Sequence, residues 1–66
     1  MTELQSYIDG FGFGISVKEL ASRAYTHMAV KGHKVCIVND RYLDVDGTTY
    51  LFSKSRKHGG WIAKAI

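Results

Sequence analysis

Cysteine is almost missing from this 66-residue chain: Cys36 is the only one, so no disulfide within the chain can staple its fold. A lone cysteine fits a reducing compartment better than a secreted scaffold. Within the apolar run Val35-Cys36-Ile37-Val38 it reads as a small hydrophobe. Long hydrophobic runs are missing too, none approaching the roughly 20 residues of a membrane span. The opening Met1-Thr2-Glu3-Leu4 lacks the basic-then-apolar pattern of a signal peptide. These absences lead to the expectation of a cytosolic protein with no membrane partner.

Charge of either sign is modest. Nine Lys/Arg against six Asp/Glu give +3 and a pI near 9.2, which permits nucleic-acid contact without requiring it. The length allows one domain with a thin margin of stability, since a chain this short buries only about 60% of its unfolded surface.

The clearest positive signal begins at Ile15. Ser16 followed by Glu19 is a capping box, with Ile15 and Leu20 placed for a hydrophobic staple. Val17, Leu20, Ala21, Ala24 and Met28 then recur at helical spacing, with Lys18, Ser22, Arg23, Thr26 and His27 largely opposite. Glu19 and Arg23 are placed to pair. Gly32 can take the left-handed position that ends a helix. The spacing predicts a helix over 17–31.

After Gly32 the period changes from 3.6 to 2. Residues 34–38 read as a strand, Asn39-Asp40 as a turn and 41–45 as a second strand. Asp46-Gly47 is a strong hairpin signal. A two-residue loop there sets Val45 opposite Thr48, Leu43 opposite Tyr50 and Arg41 opposite Phe52. Leu43, Val45, Tyr50 and Phe52 then share the face toward the helix, while Tyr42, Asp44, Thr49, Leu51 and Ser53 share the other. Lys54 to Gly60 is a basic loop, and residues 61–66 read as a last strand. In the first fourteen residues, Thr2 with Gln5 could cap a short helix carrying Leu4, Tyr7 and Ile8, and Gly10–Gly14 forms a glycine–phenylalanine linker. The expectation is one α+β domain over 1–66: an N-terminal segment (1–14), a helix with its caps (15–32) and an antiparallel meander of three or four strands (33–66).

Four features bear on function. Gly10, Gly12 and Gly14 precede a helix start, where anions are attracted. Yet neither the Walker nor the dinucleotide spacing is met, so Phe11 and Phe13 are expected to plug the core while the glycines relieve the backbone. Lys54, Arg56, Lys57 and His58 form a basic cluster beside Trp61, supported by Lys18 and Arg23 on the helix flank. Such a cluster could hold a phosphate backbone, although a domain this small needs Trp61 in its core. Alanine at Lys54, Arg56 and Lys57 should flatten the salt dependence of any DNA or RNA binding, measured by titration at several salt concentrations. Tyr42, Asp44, Thr49 and Leu51 resemble a protein-binding patch. The terminal strand offers an edge for strand addition or a homodimer.

Catalysis has little support. His27, His33 and His58 lie on different elements without zinc-ligand spacing. Asp40, Asp44 and Asp46 surround a hairpin, where aspartate is ordinary turn chemistry. An acid–base pair of His33 and His58 with Lys57 as phosphate clamp would require the two histidines to meet. No catalytic residue, metal site or cofactor is therefore expected.

The Ser16-led helix ending at Gly32, the Asp46-Gly47 hairpin, the strand Tyr50-Leu51-Phe52-Ser53-Lys54 and Gly59-Gly60-Trp61 together resemble the layout of small phage-encoded accessory proteins, anti-CRISPR proteins among them. The resemblance covers about fifty residues as a pattern of elements, without a signature motif. It implies a non-enzymatic inhibitor or modulator that binds a host protein stoichiometrically in the cytosol of the host cell. The alternatives are a nucleic-acid-binding protein using loop 54–58 and a self-assembling structural module.

Overall fold

The computed structural model describes residues 2–66, with the side chain of Thr2 outside the description, and the proposed Thr2 cap with it. Two helices, α1 (Thr2–Asp9) and α2 (Val17–Val30), precede four strands: β1 (Val35–Asn39), β2 (Tyr42–Val45), β3 (Thr48–Ser55) and β4 (Gly60–Ala65). The strands form one antiparallel sheet in the order β1-β2-β3-β4, an α+β fold.

Helix α2 begins with half of the expected capping box and ends by the expected chemistry. The Glu19 carboxylate pairs with Arg23 at 3.2 Å instead of reaching back to Ser16. Ser16 Oγ accepts the Glu19 N–H at 3.3 Å. At the other end Gly32, at φ 94°, lets its own N–H reach the Ala29 carbonyl (3.0 Å) and the His33 N–H reach the Met28 carbonyl (3.1 Å). This is a Schellman closure, with two orphan carbonyls satisfied. The helix stops at Val30 and Lys31 is its cap, one residue short of the expected bound. The Asp46-Gly47 loop has φ of 52° and 88°, the type I′ geometry that matches strand twist. It fixes the register as read from the sequence: Val45 with Thr48 and Leu43 with Tyr50, then a Phe52 N–H to Arg41 carbonyl bond of 2.9 Å.

Both helices lie on one face of the sheet. Leu4, Ile8, Leu20, Ala21, Ala24 and Met28 from the helices meet Leu43, Val45, Tyr50, Phe52 and Trp61 from the sheet to form the core. Each fully buried large side chain contributes about 1.5–3 kcal/mol, so Phe52, Leu20 and their neighbours carry most of a small domain's stability. Trp61 is in the core, and its indole N–H donates to the Ile15 carbonyl at 3.2 Å. The two phenylalanines of the linker divide: Phe11 packs against the core, whereas Phe13 is 46% exposed and plugs nothing. Gly12 lies against Gly60, where an added Cβ would sit 3.3 Å from the Gly12 Cα, so a side chain at Gly60 would press the Gly12 backbone away by a few tenths of an ångström.

Cys36 also departs from expectation. It projects with Asp44 onto the face away from the helices and is exposed. Strand β1 is the outer strand, its ladder interrupted by a bulge between Ile37 and Asn39, and Ile37 and Val38 are 45% and 57% exposed. The apolar run that reads as interior is the sheet's margin.

Candidate protein-binding surface

The sheet has helices on one side only, and its other face collects side chains in rows across the strands. One row runs Cys36, Asp44, Thr49, and the next runs Tyr42, Leu51, Lys64. Ser53 and Ile62 form a third. Directly opposed residues in such rows have Cβ atoms about 4.5–5.5 Å apart, so Tyr42 and Leu51 touch, with Ile62 diagonal to Leu51. All three are half-buried by their neighbours alone, as are Asp44, Thr49 and Ser53. The result is an aromatic and aliphatic centre with polar residues around it, the layout of a recognition patch. Asp44 adds a specific demand: its Oδ1 is shielded from solvent yet has no hydrogen-bond partner among the described residues. A donor brought by another molecule would relieve it.

The basic residues are more dispersed than their sequence spacing indicates. Lys54 lies over the Trp61 ring, 5.4 Å from its centroid, and Trp61 is too deeply buried to stack a base. Arg56 and Lys57 are exposed in the β3–β4 loop. His58 is committed elsewhere: its Nε2 contacts Asp9 Oδ1 at 2.6 Å. That bond, with a second from the Gln5 amide, holds the Asp9 carboxyl below its ordinary range. On α2, Lys18 is exposed and Arg23 pairs with Glu19 at 3.2 Å. The linker turns its amides inward, with Gly10, Phe11 and Gly14 donating to the carbonyls of Tyr7, Ile8 and Phe11. The Gly10 and Phe11 N–H groups are spent on closing α1, and that of Gly14 on a turn within the linker.

The histidines do not converge. His27 stacks on Tyr7 with centroids 3.9 Å apart. His33 bridges two carboxylates, Nδ1 to Asp46 Oδ2 at 2.6 Å and Nε2 to Glu3 Oε1 at 3.1 Å. Both nitrogens donate at once only in the imidazolium form. The Asp46 bond first, and Glu3 second, therefore raise the His33 pKa above its ordinary value. Asp46, which is also the loop residue holding the Lys34 N–H at 3.0 Å, is lowered in return. Among the described residues no three His, Cys, Asp or Glu side chains are grouped to hold a metal ion, and no helix is long and apolar enough to cross a membrane.

The expected free edge lies elsewhere. The outward N–H of Ala63 on β4 donates to Gln5 Oε1 at 2.9 Å, and Gln5 Nε2 donates to the Trp61 carbonyl at 3.0 Å. One amide of α1 thus stands in for a neighbouring strand. Gln5 was legible as a capping residue only; nothing local connects it to residues 56 and 58 positions later. The uncovered outer edge is that of β1, where Val35 and Ile37 alternate with the residues bonded to β2. No protein-family model, curated protein sequence or solved structure matches the chain.

Proposed function

We propose that the chain is a small non-enzymatic binding protein that works by covering part of a partner protein's surface. The observation that carries this reading is the one-sided sheet: both helices pack on one face, leaving Tyr42, Leu51 and Ile62 half-buried on the other within a polar rim. Aromatic anchors of this kind contribute disproportionately to protein affinity. The shielded, unpartnered Asp44 Oδ1 supports the same face, because an approaching donor would satisfy it. The likeness in layout to phage-encoded accessory proteins makes a host protein in the cytosol the partner in this proposal, and stoichiometric inhibition or modulation the mode.

The test is capture from host-cell lysate by the tagged chain, with and without nuclease, beside a Tyr42→Ala, Leu51→Ala double variant that keeps its far-UV circular dichroism. The expected result is one dominant protein that survives nuclease and is lost from the double variant. A diffuse set that disappears with nuclease would transfer the function to nucleic acid and to Lys54, Arg56 and Lys57. A mass that rises with concentration and no captured protein would favour self-assembly through β1.

A further inference from the structure

Strand β3 outruns β2, and the reason is local. Residues 41 and 52 face each other in a position that should exchange two backbone bonds, and only one is made, from the Phe52 N–H to the Arg41 carbonyl. The Arg41 N–H turns instead to Asn39 Oδ1 at 2.9 Å, in the β1–β2 turn. The strand pair opens there, while β3 continues to Ser55 against β4 alone.

Alternation along β3 decides which groups are left facing outward. Thr49 and Ser55 accept from Ile66 and Gly59 on the β4 side, and Phe52 donates on the β2 side. The N–H and C=O of Lys54 therefore point to the β2 side, beyond its last residue, together with the Phe52 carbonyl. A cavity of about 420 Å³ lies at this spot, lined by Val17, Arg41, Leu51, Phe52, Ser53, Lys54 and Trp61. Leu51 and Ser53 belong to the open face, whereas Phe52, Lys54 and Trp61 belong to the helix-covered one. A lining drawn from both faces places the cavity on the strand's edge, along the line a longer β2 would follow. Two cationic side chains, Arg41 and Lys54, line it and no carboxylate does.

We propose that this notch binds an extended, acidic segment of a partner protein, which continues β2 by pairing its backbone with Lys54 while its carboxylates meet Arg41 and Lys54. Edge backbone groups provide affinity in such strand addition, and the flanking side chains select sequence. The charge of the lining selects acidic residues over neutral ones. The inference rests on the protein-binding reading above but uses a different surface, sharing with it Leu51 and Ser53.

The only tryptophan of the chain lines the notch, so its emission reports occupancy directly. The probe is a capped seven-residue peptide alternating valine and glutamate, compared with its glutamine counterpart and with a glutamate peptide N-methylated on the pairing side. The glutamate peptide should change Trp61 emission saturably and shift the Lys54 backbone amide in NMR spectra. Arg41→Ala should weaken it about tenfold or more, and Lys54→Arg should retain it; both positions are exposed, so folding is kept. The glutamine and N-methyl peptides should each bind at least tenfold more weakly. No saturation below about 1 mM, equal binding of the glutamate and glutamine peptides, or tighter binding of a single-stranded oligonucleotide would each overturn the proposal. Tyr42→Ala leaves the notch lining intact, so loss of partner capture in that variant with peptide binding preserved would separate the two surfaces. Capture dependent on Tyr42 with no peptide binding would remove the notch alone.

Discussion

Strands β1 and β4 are both outermost in the sheet, yet their outward backbone groups meet different surroundings. Along β4 the Gln5 amide takes the Ala63 N–H and the Trp61 carbonyl, and His58 bonded to Asp9 fastens the same helix nearby. Among the described residues no element lies beyond β1, and Ile37, Val38 and Cys36 are exposed. Unpaired edges invite other chains. The molecule closes one edge with a side chain and leaves the other, together with the far end of β3, open to pairing. In a binding protein, that asymmetry directs partners to the β1–β2–β3 side.

The largest expected effect removes the floor that both edges share. Phe52→Ala should cost about 3–5 kcal/mol, which matches the whole stability expected of a domain this small. Far-UV circular dichroism at 25 °C should show a largely unfolded chain. Gln5→Leu sharpens the contrast by making β4 resemble β1. It should cost about 1–3 kcal/mol, because two partly buried backbone groups lose their partner. Hydrogen exchange should show the Ala63 amide losing protection while the Cys36 amide, paired within the sheet, keeps its own.

A smaller effect depends on pH. The folded-state pKa of His33 is raised above 6.5 by Asp46 and then Glu3. Its contribution is therefore full below 6.5 and is lost as pH rises through the raised value. Asp46 and Asp9 are lowered from 3.8, so theirs is present above 3.8 and lost as pH falls through the lowered values. Urea midpoints should peak between the carboxylate and imidazole ranges, and His33→Ala should remove the decline on the alkaline side. The smallest effect is on the open edge: Ile37→Lys should change stability by less than about 0.5 kcal/mol. Light scattering should then show any self-association of the wild-type chain diminished.

What the sequence made legible was whatever short-range chemistry decides. Ser16, Gly32 and Asp46-Gly47 act on neighbours a few residues away, and each sits in the expected geometry, as does the Glu19–Arg23 pair. The Glu19 half of the capping box is not made. From the hairpin register followed the two faces of β2 and β3, including the Tyr42–Leu51 pairing. Side chains that act across the fold were not legible. Gln5 bonds across 58 positions, His58 across 49 and His33 across 30, and glutamine or histidine on a helix flank or in a loop gives no sign of such reach. Cys36 and its apolar neighbours misled for a related reason. Hydrophobicity marks a strand, but whether that strand lies inside or at the margin is set by sheet order. The notch depends on a single amide, that of Arg41, choosing a side chain over a strand.

The coverage of β4 by α1 has a consequence for how the chain is made. Ile8 is synthesised 53 residues before Trp61, roughly 3–10 s earlier at ordinary elongation rates. Until Trp61 follows, Leu4, Ile8 and the Gln5 amide have no finished sheet to dock against, whereas α2 closes on neighbours a few residues away. The nascent chain thus passes through a stage in which its earliest helix waits, apolar side bare, for its last strand. That interval is when a chaperone or a second nascent copy would meet this protein.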